Sequence, residues 1–260
     1  MASLSTDPST GTAAGRGGGL TDLWRLWRNE AQDPESFYGV LADRAVTDLE
    51  KSFGPLAGQL IGDIGCGPGW YTRAMREAGA DVVPVDHDLA ALEASGEMPD
   101  GAIVGDAMDL PLADASLDGV FASNMLEHTP DAERVIGEVA RVLRPGGWGY
   151  VSWTNWFSPW GGHDMTPYHF LGPRLGLRLY RRRHGQEPRC VYGESLWPVH
   201  IGPTLRFIRS LPELRVISVE PRYWPSLKVI VDIPVVREVA TWNCVVRVRR
   251  TDIDGPLTRW

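Results

Sequence analysis

Long apolar runs are missing from this sequence: no stretch of 18 or more apolar residues occurs, so no membrane-spanning helix is expected. The N-terminus, MASLSTDPSTGTAAGRGGGL, also lacks the apolar centre of a secretory signal. Its small and polar residues bury too little surface to offset the entropy of ordering, so residues 1–19 are expected as a disordered tail. Cysteine is scarce: Cys66, Cys190 and Cys244 are widely separated, odd in number and never spaced C-x-x-C. Neither a disulfide framework nor a zinc site is therefore expected, and a reducing cytoplasm fits. Lysine is almost absent, with Lys51 and Lys228 alone among 26 basic residues, a compositional hint of a GC-rich bacterial genome. A basic excess is absent too, since the net charge is −7.

The charge is unevenly spread. Residues 1–150 carry 24 acids and 10 bases, whereas residues 151–260 carry 9 acids and 16 bases. So acidic a first half argues against a protein that tracks nucleic-acid phosphates, and no nucleic-acid partner is expected. The basic second half suits scattered solvated arginines, an anionic small substrate or a lipid head group. Arg178, Arg181, Arg182 and Arg183 in RLYRRRHG leave peripheral membrane contact open.

Hydrophobic periodicity organises the rest. Asp33-Pro34-Glu35 reads as a helix start, with apolar positions at Phe37, Leu41, Ala45, Leu49 and Phe53 until Gly54-Pro55 ends the run. A shorter amphipathic stretch with Leu23, Trp24, Leu26 and Trp27 precedes it, so residues 20–58 are expected as an N-terminal helical cap. Apolar strand-like runs follow at 60–64, 82–85, 102–104, 117–122 and 147–153, with helical segments at 69–79, 88–95 and 131–143 between them. This alternation predicts a mostly parallel sheet covered on both faces, with ligands at the carboxyl ends of its strands. A cofactor core is expected over 59–153 and an acceptor-side insertion with the last strands over 154–250, leaving 251–260 as a tail. After Trp153, WTNWFSPWGGHDMTPYHFLGP is rich in aromatics, glycine and proline and reads as a long functional loop. Gly161 and Gly162 are expected to permit an unusual turn before His163. Half of the loop's rings (Trp153, Trp156, Phe157, Trp160, Tyr168, Phe170) are expected in the core and half as flat walls for an acceptor.

The glycine loop selects the cofactor. LIGDIGCGPGW places Gly65, Gly67 and Gly69 in G-x-G-x-G spacing. A dinucleotide site wants G-x-G-x-x-G, but Trp70 stands at the third glycine's place and the Asp63 carboxylate would repel a pyrophosphate. The D-x-G-x-G-x-G spacing resembles motif I of the class I S-adenosylmethionine-dependent methyltransferases. The resemblance continues through Asp86 at the end of the second strand, GDAMDLPLADASLDGVFASNMLEH, and EVARVLRPGGWGYVS, covering Leu60 to Ser152 in order. The chain is thus identified with the methyltransferase type 11-like members, in an actinobacterial small-molecule subgroup sharing G-G-H-[DE]-M followed by H-[FY]-L-G.

That resemblance implies an α/β, Rossmann-like fold of seven strands, mostly parallel, with an insertion after strand five. It implies S-adenosyl-L-methionine as cofactor and S-adenosyl-L-homocysteine as product. The expected cofactor residues are Asp63, Gly65, Cys66, Gly67, Gly69, Asp86, His87, Asp106, Ala107, Met108, Ser123 and Asn124. Asp86 would accept from the ribose hydroxyls and Asp106 from the adenine amino group.

Transfer to oxygen also calls for removal of a proton, a task suited to histidine. His163 is the first candidate for that base, followed by His128 in NMLEH, with Asp164 and His169 beside them. In the similar ubiquinone-type O-methyltransferases, acids join the Glu-His pair around a divalent metal. Here Asn124 stands three residues before Glu127, and no metal is expected. The acceptor is expected to be a small molecule, aromatic, glycosylated or lipid-linked, as in secondary metabolism. C- or N-methylation of a quinone-like or amine acceptor, and a catalytically silent cofactor-binding regulator, stay open as alternatives.

Overall fold

The computed structural model describes residues 34–252. The expected tail at 1–19, the short helix around Leu23–Trp27, the Asp33 cap and residues 253–260 lie outside the described residues. Of residues 1–37 only 34–37, the opening turn of a helix, are described. Everything that follows concerns residues 38–252.

Helix α1 (Pro34–Phe53) ends where Gly54 takes a positive φ of 91° and donates its N–H to the Glu50 carbonyl. Then come β1 (Leu60–Ile64), α2 (Trp70–Glu77), β2 (Asp81–Asp86), the single turn α3 (Leu89–Leu92) and β3 (Ile103–Val104). They are followed by β4 (Leu117–Ala122), α4 (Ala132–Val142) and the long β5 (Leu143–Thr154). After the loop lie α5 (Pro173–His184), α6 (Ile201–Ser210), β6 (Leu214–Pro221), α7 (Val236–Ala240) and β7 (Asn243–Arg250). A 3₁₀ segment, Pro225–Asp232, precedes α7, and Pro234 between them supplies no N–H to continue a helical ladder.

The seven strands form one sheet in the order β3-β2-β1-β4-β5-β7-β6. Neighbours from β3 to β5 pair in parallel, and β7 runs antiparallel to both β5 and β6. This is the Rossmann-like, mostly parallel arrangement expected from the strand–helix alternation. Side chains alternate between two cores. Ile61, Phe121, Trp148, Tyr150 and Val245 meet Ala45, Leu49 and Met75 from α1 and α2 on one face. Val120, Val151, Trp153 and Val246 meet Val135, Ile136 and Leu205 from α4 and α6 on the other.

From Tyr38 onward α1 is therefore a layer of the core. Trp148 stacks on Phe53 at 4.6 Å and donates to Gln59 Oε1 at 2.7 Å, while its ring lies where Gly119 has no side chain. A Cβ at Gly119 would sit 2.3 Å from that ring. Buried Arg247 in β7 pairs with Asp48 of α1 and with Glu220 of β6, tying helix to sheet.

Candidate active site

The carboxyl ends of β1, β2 and β4 meet where the strand order reverses, the place at which open α/β sheets hold ligands. The loop after β1 is shaped by its glycines. Gly65 has φ 72° and lies so close to Met125 that a Cβ would come within 2.7 Å of its Cγ. Gly67, at φ 50°, donates its N–H to Asp86 Oδ2 at 2.8 Å. Asp88 N–H reaches the other oxygen, Oδ1, at 3.0 Å. The Asp86 carboxylate thus locks the glycine loop to the end of β2 and keeps further lone pairs for a ligand.

A cavity of about 560 Å³ opens there. Of the residues expected to meet cofactor, Gly65, Asp86, His87, Asp106, Ala107, Met108 and Asn124 line it. Apolar Ile64, Val85 and Met125 supply flat walls between the two acids. A cavity of this size with a locked carboxylate for a diol and a second at Asp106 fits an adenine nucleoside. Asp63, Cys66, Gly67, Gly69 and Ser123 do not line it.

Asp63 faces inward. It is buried and accepts from the Thr72 hydroxyl at 2.6 Å, bracing the start of α2 from below the loop. Burial pushes its carboxyl up to about 7, the Thr72 hydroxyl opposes this, and the Asp86 charge adds to it. From pH 4 to about 7 the folded protein therefore holds a proton that the unfolded chain has released, so Asp63's contribution to stability falls as pH rises through that window. Asp63→Asn is expected to gain on wild type by about 3 kcal/mol between pH 4.5 and 8, about 2.5 pH units up to the raised pKa of about 7 at about 1.4 kcal/mol each. Urea unfolding of both proteins across that range measures it; a gap that stays constant with pH would show the shift to be absent.

Among the candidate bases, His128 alone lines the cavity. Its Nδ1–H donates to the Ser195 carbonyl at 2.8 Å, which leaves Nε2 as the nitrogen with a free lone pair. His163, the first candidate from sequence, packs edge-on against it with ring centroids 4.9 Å apart. Burial holds His163 below the ordinary histidine range, the Glu127 carboxylate opposing and the His128 ring assisting. Asp164 points elsewhere, accepting backbone N–H groups of Arg189 at 2.5 Å and Cys190 at 3.3 Å. His169 is buried, with Nε2 bonded to the Trp156 carbonyl at 3.1 Å, and it does not reach the cavity.

One loop expectation is corrected by packing. Gly161 and Gly162 are needed for close approach, since a Cβ would lie 2.0 Å from the Trp156 carbonyl oxygen at the first and 2.4 Å from the His169 ring at the second. The unusual backbone falls on His163 itself, at φ 50°. Of the loop's rings, Trp153 and Trp156 are buried whereas Phe157, Trp160 and Phe170 are exposed, and none lines the cavity. Arg178, Arg181, Arg182 and Arg183 form an exposed face of α5, with Arg181 paired to Glu187.

Other participants come from segments with no sequence signal. Glu194, Ser195 and Trp197 line the cavity, and Trp197 N–H donates to the Glu127 carbonyl at 2.8 Å. Arg222, just past β6, reaches across to donate to Ser123 Oγ at 2.9 Å, Asn124 Oδ1 at 3.0 Å and the Tyr71 hydroxyl at 2.9 Å. All of these partners are neutral, and no described carboxylate pairs with it.

Comparison with known proteins agrees with this geometry. Residues 62–151 match the family model described as a methyltransferase domain. The chain is 38% identical over 242 residues to an uncharacterized methyltransferase of Mycobacteroides abscessus, covering 88% of this chain and 93% of the relative. A second uncharacterized methyltransferase, from Mycolicibacterium vanbaalenii, is 36% identical, covering 87% and 92%. A solved S-adenosylmethionine-dependent methyltransferase from Mesorhizobium loti superposes with a TM-score of 0.53 at 25% identity, covering 78% of this chain and 96% of that one. The chain belongs to the S-adenosylmethionine-dependent methyltransferases and is an enzyme of that class. Among the described residues no helix is long and apolar enough to cross a membrane.

Proposed function

We propose that the enzyme methylates a hydroxyl oxygen of a small molecule, of natural-product, sugar or glycolipid type, with His128 removing the acceptor proton. The observation that carries this reading is the placement of His128. Its ring shares the cavity with Asp86 and Asp106, and its Nδ1–H is committed to the Ser195 carbonyl. The tautomer so selected presents a basic Nε2. His163, which burial holds below the ordinary histidine range, backs that ring edge-on.

When bound, S-adenosylmethionine supplies a methyl group on a sulfonium centre. Asp86 would hold its ribose, Asp106 its adenine amino group, and Arg222 the carboxylate of its amino-acid end. A half-buried guanidinium surrounded by hydroxyls and an amide is completed by an anion. Asn124, which lines the cavity and touches Arg222, links the two regions.

His128→Ala is expected to lower kcat by about 100-fold or more, the usual worth of a positioned base, at unchanged affinity for S-adenosylhomocysteine. Steady-state kinetics with a hydroxylated acceptor, paired with calorimetry, measures both. An unaffected rate would favour the C- or N-methylation alternative, which needs no such base.

A further inference from the structure

A second chemistry is assembled around the base itself. His128, His163 and Cys190 each offer a ligand atom, and these three atoms lie within 4.8 Å of one another. They come from three segments, the turn after β4, the loop after β5 and the stretch beyond α5, so chain proximity does not explain the cluster. Each is held in place by a different device. The His128 ring is fixed by its bond to the Ser195 carbonyl, the kind of outer partner that orients a metal-binding imidazole. Cys190 is held by its backbone, since Asp164 clips the N–H groups of both Arg189 and Cys190. His163 sits at φ 50°, a conformation uncommon for a residue with a side chain.

Two buried polar atoms there lack partners. His163 Nδ1 has no hydrogen-bond partner, and neither does Oε2 of Glu127, a residue 1% exposed whose other oxygen accepts the Thr154 N–H. Buried polar atoms are seldom left unsatisfied, and an orphaned imidazole nitrogen within a cluster of two histidines and a thiol asks for a cation.

We propose that His128, His163 and Cys190 form a binding site for a soft divalent cation of the zinc class. Two imidazoles and a thiolate are the donor types such an ion selects, and three protein ligands leave a fourth position for solvent or acceptor. Bonds of about 2.0–2.3 Å in tetrahedral geometry need donors about 3.3–3.7 Å apart, so side-chain movements of under about 1 Å close the set. The ion and the acceptor proton compete for Nε2 of His128, so a bound ion silences the histidine base proposed above. The site itself does not depend on which acceptor is methylated.

The test uses tag-free full-length protein titrated with cobalt(II), then zinc. The expected result is one ion per chain, with a tetrahedral cobalt spectrum carrying a near-ultraviolet thiolate-to-cobalt band that zinc displaces. Cys190→Ser is expected to abolish that band and weaken zinc binding at least tenfold, with S-adenosylhomocysteine affinity retained as the sign of an intact fold. Cys190→Ala serves equally if the serine variant is unstable. Absence of the thiolate band in the wild-type protein, or zinc affinity unchanged by both substitutions, overturns the proposal. These readouts require no turnover, so they stand whether or not His128→Ala slows methyl transfer.

Discussion

Replacing Asp86 with alanine is expected to weaken S-adenosylhomocysteine binding at least tenfold while leaving the fold intact. The carboxylate does two jobs at the end of β2. It accepts the Gly67 and Asp88 N–H groups, which sets the curvature of the glycine loop. Its remaining lone pairs are the acceptors available to a ribose diol in the cavity. A hydrogen bond to a charged group is worth about 1.5–3 kcal/mol, and about 1.4 kcal/mol is tenfold in affinity, so losing one such bond already meets the threshold. Losing both takes the effect past a hundredfold.

The fold survives because Asp86 sits at the rim of the sheet, outside both hydrophobic clusters. Calorimetric titration with S-adenosylhomocysteine, with NAD as control, makes the measurement. Unchanged affinity in the variant would remove Asp86 from the cofactor site. Binding of NAD by the wild type would overturn the reading of the glycine spacing.

Arg222→Met is expected to separate two parts of the ligand. Affinity for S-adenosylhomocysteine falls about ten- to a hundredfold, the worth of a charged hydrogen-bonded contact, while affinity for 5′-methylthioadenosine is unchanged. The second compound keeps the nucleoside and lacks the amino-acid end, so it never meets the guanidinium. Methionine keeps an unbranched apolar side chain and removes the charge. Equal loss for both ligands would make Arg222 a scaffold for Ser123 and Asn124, which it also touches. No loss for either would place the carboxylate elsewhere.

The local pattern of this chain was legible from sequence alone, because local forces decide it. Strand runs at 60–64 and 117–122 appear at those residues, since a short continuous apolar run is a property of neighbouring residues. The order of glycines and acids in Leu60–Asp88 likewise determined the cofactor class. The lock between the Gly67 N–H and the Asp86 carboxylate lies within one strand–loop–helix–strand unit. The glycine loop therefore answers to its own sequence.

Tertiary structure decided the rest. Asp63 reads as a ligand beside the glycines, yet strand alternation and the Thr72 hydroxyl turn it into the core. His163 reads as the exposed base of a glycine-rich turn, yet His128 takes the cavity wall and His163 falls behind it. Ser195, Trp197, Cys190 and Arg222 stand in segments without a motif, 62 to 99 residues beyond their partners in the turn after β4. They reach the site because the antiparallel β6–β7 pair and the chain beyond α5 return to the carboxyl edge of the sheet. Such contacts depend on the path of the whole chain, and no window of sequence contains both partners.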